Sequence, residues 1–174
     1  YLTLLEGEGL LAAPVPADLD REQPIALVSC DSRTVVPGTL FVCKGAHFKA
    51  EFLDMAQSRG AVAYASEKRW PDSTLPCILL SDLRRAMALM ADLCYDHPSG
   101  KLKVIGFTGT KGKSSATYYL KSVLDAYRSR QGKGETGVIS SIDTYDGVER
   151  FESHLTTPEP LDLQRHLACL LYTS

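Results

Sequence analysis

Apolar residues follow two rhythms along this chain, short unbroken runs and helical spacings, and the switches between them mark out its elements. The runs at 25–28, 40–43, 61–65 and 77–80 are four or five residues long and are bounded by glycine, proline, serine or aspartate, which predicts buried strands. Between the second and third, residues 51–59 place Phe52, Met55 and Ala56 at helical i, i+3, i+4 spacing, and Gly60 stands where a C-terminal cap belongs. Ser81 or Asp82 is positioned to cap a second helix running to about residue 95. Its stripe of Leu83, Met87, Met90 and Cys94 reads as core rather than as a cofactor pocket. Strands alternating with helices define an α/β unit. Residues 1–27, a short apolar opening followed by a proline-rich acidic connector, add little to it.

His97-Pro98-Ser99-Gly100 interrupts the pattern and predicts a boundary, giving a first domain over 1–98 and a second over 99–174. The second opens on an apolar run at 101–108, read as a strand, which breaks into glycines and then into a helix over 114–129. Ala116, Leu120, Val123, Leu124 and Tyr127 fall on one face of that helix, which predicts that this face packs on a sheet. A loop at 132–137 leads to a strand at 138–140. Asp146-Gly147 between apolar flanks signals a hairpin. Thr157 suits an N-cap with Pro158 as first helical residue, and Leu163, Leu167, Leu170 and Leu171 form the buried face of the helix that follows. The fold class expected is α/β: a small N-terminal α/β domain, then the first part of a P-loop ATPase-like domain with a mostly parallel sheet. So few strands would leave sheet edges open, so the chain reads as an N-terminal fragment whose last residues, 169–174, include sequence foreign to the parent.

The junction between run and helix carries the chemistry. Gly109 and Gly112 allow tight turning and close approach of N–H groups to phosphate oxygens, while the helix that follows points its positive end at the same anion. Lys113 supplies a point charge to β- and γ-phosphates, and the Ser114 hydroxyl a ligand for Mg²⁺. The general P-loop spelling G-x-x-x-x-G-K-[ST] is missed by one residue, since its first glycine would fall on Phe107. A glycine-rich turn that binds nothing is the alternative, and Thr-Gly-Thr-x-Gly-Lys-Ser between strand and helix seldom arises for packing alone.

Composition narrows the picture. A chain of 174 residues, 44% hydrophobic, holds one substantial core or two small ones. Its five cysteines (Cys30, Cys43, Cys77, Cys94 and Cys169) are odd in number and lack C-x-x-C spacing, which predicts free thiols in a reducing compartment and no zinc site. His47, His97, His154 and His166 have no metal-ligand spacing, and His154, though beside the paired threonines described below, reads as structural. A net charge of −2 argues against nucleic-acid or anionic-membrane partners. Charge is nevertheless concentrated: residues 101–133 hold eight basic side chains against one acid, Asp125, a field suited to polyphosphate. Its distal half, 121–133, reads as a solvated basic face. No apolar run approaches the roughly 18 residues of a membrane span.

Three separated stretches agree on one family. Asp31-Ser32-Arg33, followed by Pro37-Gly38 and Leu40-Phe41-Val42, resembles the D-S-R-x-V-x-P-G-x-L-F-V opening of the Mur ligases that add the third residue of the peptidoglycan stem peptide. Residues 106–115 resemble the G-x-T-G-T-x-G-K-[ST]-[ST] loop of their ATPase domain, and Thr156-Thr157-Pro158-Glu159 resembles their T-T-P-E segment. Order and spacing agree over about 25–171. Two departures stand out: Lys111 replaces the usual Asn and either adds a phosphate contact or points to solvent, and Leu155 precedes the threonines where many relatives carry Asn.

The resemblance implies an ATP-dependent amide ligase of the cytoplasm, acting as a monomer on UDP-N-acetylmuramoyl-L-alanyl-D-glutamate and a diamino acid, with Mg²⁺. It implies that Cys30, through its backbone, and Ser32 lie against the uridine end, with Ala46, His47 and Phe48 near the pyrophosphate. Taken alone, Asp31-Ser32-Arg33 reads first as a hydrogen-bonded turn. Gly109, Thr110, Lys111, Gly112, Lys113, Ser114 and Ser115 would hold ATP, with Lys113 the catalytic charge. Thr156 and Thr157 would touch the muramoyl peptide, and Glu159 would either order the metal or stabilise a helix N-terminus. The family's carbamylated lysine and amino-acid-gripping domain lie further along than these 174 residues, so the chain alone is expected to bind nucleotide weakly and not to ligate. The competing readings are a folylpolyglutamate synthase-like ligase, which has a similar loop, and a non-catalytic nucleotide-binding module.

Overall fold

A computed structural model of the chain describes residues 1–45, 48–153, 155 and 157–173. These form two compact units, Tyr1–Cys94 and Tyr95–Ser174.

The first unit is a parallel four-stranded sheet flanked by helices. After α1 (Leu2–Gly7) come β1 (Leu27–Ser29), β2 (Thr39–Val42), α2 (Ala50–Ser58), β3 (Ala61–Ser66), β4 (Cys77–Leu79) and α3 (Leu83–Cys94). The strands lie in the order β1-β2-β3-β4, every pair parallel. All four residues of β2 are buried, as an interior strand of a parallel sheet requires. Even the Thr39 hydroxyl is satisfied there, donating to the Val36 carbonyl at 2.7 Å and accepting from the Val36 N–H at 3.1 Å. Each of the four strand runs read in this unit is present within a residue or two. Asp82 caps α3 as expected, its Oδ1 accepting from the Arg85 N–H at 2.9 Å, and Leu83, Met87 and Met90 are core. Gly60 adopts φ +96° beyond α2, where an added Cβ would stand 2.8 Å from the Pro37 Cα, so conformation and space both require glycine. On α2 the buried face is Leu53 and Ala56, not Phe52 and Met55, which remain 38% and 40% exposed. Phe52 turns instead to the edge of the Phe48 ring.

The second unit contains α4 (Pro98–Lys101), α5 (Lys113–Ser129), β5 (Val138–Ile139), β6 (Asp143–Tyr145), β7 (Arg150–Glu152) and α6 (Pro160–Thr173). Its three strands form an antiparallel sheet in the order β5-β6-β7, so among the described residues parallel pairing is confined to the first unit. The strand expected over 101–108 is not formed. Residue 101 ends α4, residues 103–108 pair with no described strand, and Val104 and Ile105 are 57% and 58% exposed. An apolar run becomes a strand only against a ladder partner, and none of the described strands supplies one. Asp146-Gly147 does make the β6–β7 hairpin, through a four-residue loop, 146–149, rather than a two-residue one.

Helix α5 faces differently from its hydrophobic stripe. Val123 and Tyr127 are 67% and 62% exposed, whereas Lys121 is only 8% exposed. Polar pairing decides this. The Lys121 ammonium bonds to Asp125 and, at 3.0 Å, to Glu135, while Asp125 accepts from the Thr136 N–H at 2.6 Å. Glu135 also takes Arg150 of β7 at 3.1 Å, which ties the helix to the sheet through charge. Lys121 therefore leaves the solvated basic face assigned to 121–133. Burial works against its charge, but the two carboxylates more than offset it and hold the ammonium above the usual lysine range.

Helix α6 begins at Pro160, two residues later than expected, because the Glu159 carbonyl accepts the Leu163 N–H at 2.8 Å and so opens the first turn. Its most deeply buried residues are His166 and Leu167, while Leu163, Leu170 and Leu171 are half-buried. The His166 Nδ1–H donates to Asp146 Oδ2 at 2.8 Å, locking α6 to the hairpin tip. The Gly147 backbone, at φ +87°, runs so near the end of α6 that an added Cβ would lie 1.9 Å from Thr173 Oγ1.

Candidate functional site

The glycine loop is built as its residue types demand. Gly109 and Gly112 both have positive φ, +148° and +77°, and nothing lies within 4 Å of a Cβ added at Gly112. The glycine there serves conformation and open approach rather than packing. Gly112 is the N-cap of α5 and no side chain caps the helix, so its first-turn N–H groups face outward without an intrahelical partner. Lys113 begins the helix and reaches back to donate to the Gly109 carbonyl at 2.6 Å, which holds an ammonium across the loop. Thr110, Lys111, Gly112, Lys113, Ser114 and Ser115 line an open cleft of about 400 Å³, together with Ser141 from the turn between β5 and β6.

The cleft suits a polyphosphate chain: open glycine backbone, an uncapped helix N-terminus and a positioned ammonium converge on it, and the Lys111 side chain is exposed at its rim. A divalent cation fits less completely. Among the described residues no group of three or more His, Cys, Asp or Glu side chains could hold a metal. The cleft is lined by the hydroxyls of Thr110, Ser114, Ser115 and Ser141 and by no carboxylate, which suits an ion that arrives bound to phosphate oxygens rather than a resident metal.

Just after β1, Asp31-Ser32-Arg33 forms a compact hydrogen-bonded turn. Asp31 Oδ1 accepts the Arg33 N–H at 2.9 Å, and its carboxylate pairs with the Arg33 guanidinium at 2.7 Å. The hydrogen bonds from Arg33 hold the Asp31 carboxyl below the usual range. Ser32 is buried at the centre of this turn, its hydroxyl directed at the Met55 sulfur at 3.3 Å, and Cys30 is exposed just after β1. Phe48 is half-buried, its ring centroid 6.1 Å from that of Phe41 and 5.0 Å from that of Trp70. Its first structural task is therefore to join the core cluster. Ala46, His47, His154 and Thr156 lie outside the described residues. Thr157 is exposed ahead of α6, and Glu159 stands at the start of that helix.

Ser141 was not legible in the sequence. It belongs to no motif and reaches the loop only because the turn 140–143 folds back beside α5, with Ser114 Oγ 3.2 Å from Ser141 Oγ and the Tyr118 hydroxyl bonded to both Asp143 and, at 3.2 Å, Ser140. Burial, with the hydrogen bond to Asp143, pushes the Tyr118 phenol up, so it remains a proton donor.

A parallel α/β unit followed by a phosphate-type loop at a helix N-terminus defines the class as an α/β protein with a P-loop-like turn. Comparison with known proteins narrows this. No protein-family model matches the chain. It is 44% identical over 141 residues to the UDP-N-acetylmuramoyl-L-alanyl-D-glutamate–L-lysine ligase of Streptococcus thermophilus, covering 81% of this chain and 28% of that protein. It is 42% identical over 144 residues to a UDP-N-acetylmuramyl-tripeptide synthetase of Lactobacillus delbrueckii subsp. bulgaricus, covering 80% and 27%. A solved UDP-N-acetylmuramoyl-L-alanyl-D-glutamate–2,6-diaminopimelate ligase shares the fold, with a TM-score of 0.62 at 22% identity over 91% of this chain and 32% of that one. The chain belongs to the Mur ligase family, and its sequence relatives within it are tripeptide synthetases. It spans rather more than a quarter of the length of those relatives.

Proposed function

We propose that this chain is the part of an ATP-dependent tripeptide synthetase that holds the nucleotide-linked substrate and presents ATP to it. The observation that carries the reading is the loop of residues 109–115, where two positive-φ glycines, an uncapped helix and Lys113 converge on one cleft. Unit Tyr1–Cys94 would take the uridine end of UDP-N-acetylmuramoyl-L-alanyl-D-glutamate, with Cys30 and Ser32 after β1, and Ala46, His47 and Phe48 toward the pyrophosphate. Unit Tyr95–Ser174 would take ATP at Gly109 to Ser115, with Thr156 and Thr157 toward the muramoyl peptide.

In the reaction proposed, the γ-carboxylate of the D-glutamyl residue attacks the γ-phosphorus of ATP and ADP leaves. The amine of a diamino acid then adds to the resulting acyl phosphate, and phosphate departs as the amide forms. The chain's contribution to the first step is positioning and charge. Backbone N–H groups of the loop fix the phosphates, and Lys113, released from the Gly109 carbonyl, neutralises charge that builds on the transferring phosphoryl group. Ser114 would hold Mg²⁺ that arrives with the nucleotide, and Glu159 would order it or else stabilise the helix N-terminus; the ion would supply further charge neutralisation. ATP and the uridine nucleotide are both cytoplasmic metabolites in kind, which fits a cytoplasmic enzyme.

Thermal shift on the whole chain tests this. Ligand that binds only the folded form stabilises it by mass action, by about 2.7 kcal/mol at a hundredfold excess over Kd, and so raises the melting point. UDP-N-acetylmuramoyl-L-alanyl-D-glutamate should stabilise the first unit, whereas folates should not. Stabilisation by ATP with none by the UDP-sugar would replace this reading with a folate-type ligase or a plain nucleotide-binding module.

A further inference from the structure

Ser141 faces the phosphate loop for reasons that lie outside the loop. The turn 140–143 is fixed from within: the Ser140 hydroxyl donates to the Asp143 carbonyl at 3.0 Å and accepts the N–H groups of Ile142 at 3.1 Å and Asp143 at 3.2 Å. It is fixed to α5 as well. Ser114 and Tyr118 are one helical turn apart on the same face, and both reach it, Ser114 through Ser141 and Tyr118 through Ser140 and Asp143. Arg150 of β7 holds Asp143 from the other side at 3.1 Å. Ser141 is thus an exposed residue on a braced turn, its hydroxyl 3.2 Å from that of Ser114, the serine that follows the loop lysine where P-loops place a cation ligand.

A serine that gives an oxygen lone pair to a metal ion must send its proton elsewhere, and metal coordination makes that proton a stronger donor. An acceptor placed on the far side of the oxygen fixes the proton's direction and leaves a lone pair aimed at the ion, which is how outer partners of metal ligands ordinarily work. We propose that Ser141 is this acceptor: a positioning residue that takes the Ser114 Oγ–H and so presents the Ser114 oxygen to the divalent cation carried by a bound nucleoside triphosphate. The inference rests on the nucleotide reading of the cleft and adds to it a residue from a different element, reached through the β5–β6 turn.

The test is calorimetric titration of the whole chain with ATP in two arms, one with Mg²⁺ and one with the metal chelated. For the unaltered chain, Mg²⁺ should tighten binding. In Ser141→Ala that Mg²⁺-dependent gain should shrink by about tenfold while affinity in the chelated arm stays unchanged, and Ser141→Thr, which keeps the hydroxyl, should restore the gain. Because Ser141 is exposed, far-UV circular dichroism of both variants should match the parent. Equal Mg²⁺ gain in Ser141→Ala and the parent overturns the proposal, and so does an equal loss in both arms, which would mark a direct phosphate contact or a structural defect. Lys113→Ala separates this failure from that of the underlying reading. If it weakens ATP in both arms while Ser141→Ala changes nothing, only the role of Ser141 falls. If the parent binds no ATP in either arm, the nucleotide reading falls and Ser141 with it.

Discussion

Asp146 and His166 show how one pair of side chains holds two elements together. Both are almost wholly buried, at 1% and 3% exposure, and the carboxylate accepts three bonds: the Val148 N–H at 3.1 Å, the Glu149 N–H at 2.9 Å and the His166 ring at 2.8 Å. Burial alone would raise the Asp146 carboxyl, but the Glu149 N–H, His166 and the Val148 N–H outweigh it and hold the group below the usual range. A carboxyl whose value is lower folded than unfolded contributes stability at all pH above its unfolded value, near 3.9, and loses that contribution as pH falls through the folded value. The second unit should therefore lose stability below about pH 4. Asp146→Asn keeps an acceptor for the two N–H groups but loses the charge, and should cost about 1–3 kcal/mol at neutral pH while flattening the acid limb. Urea titrations at pH 7 and pH 3.5 check both, and an Asn variant as acid-sensitive as the parent would show that another group sets that limb. The sequence disclosed half of this arrangement. Asp146-Gly147 announced its hairpin, but nothing in local spacing joins Asp146 to His166, twenty positions away in a helix whose leucines dominate its pattern.

Helix α5 illustrates where periodicity stops being informative. Its limits were legible, since the glycine that opens it and the loop that follows it are local signals. Its orientation was not, because Lys121, Asp125, Glu135 and Arg150 form a network whose partners come from three elements, and such pairing overrides the hydrophobic stripe. By contrast the strands of the first unit were legible within a residue or two, the interior pair β2 and β3 most closely, because an interior parallel strand is apolar on both faces and needs no partner to be recognised. The network yields a test at the scale of the element. Lys121→Met fills similar volume but leaves Asp125 and Glu135 without their ammonium. Glu135 is more than half exposed and water can serve it, so the loss is less than for a fully buried pair, about 1–2 kcal/mol. The double variant Lys121→Met with Asp125→Asn should recover part of this, since the carboxylate left behind is the main cost. Strictly additive losses in chemical denaturation would mean that the pair does not couple and that α5 is held by apolar contacts instead.

At the scale of the molecule, the two units differ in how completely they cover apolar surface. In the first, β2 is wholly buried and the core extends through Leu53, Tyr64, Met87 and Met90. In the second, Val104, Ile105, Tyr119, Val123, Tyr127 and Tyr172 are all exposed, and the strand run at 103–108 has no described ladder partner. Less apolar area removed from water means less stabilisation, at about 25 cal/mol per Å², so the second unit should unfold first. The chain carries its own reporter for this. Its single tryptophan, Trp70, lies in the first unit, packed against Phe48 and beneath the Lys68 ammonium at 4.2 Å from the ring centroid. Tryptophan fluorescence follows the first unit alone, whereas far-UV circular dichroism follows helices in both, including α5 and α6. In a urea titration the dichroism should begin to fall at lower denaturant than the fluorescence, and ATP with Mg²⁺ should move only the earlier transition. Coincident curves that shift together with ATP would instead mean one cooperative fold, in which ligand at the glycine loop stabilises the parallel sheet of the first unit as much as its own.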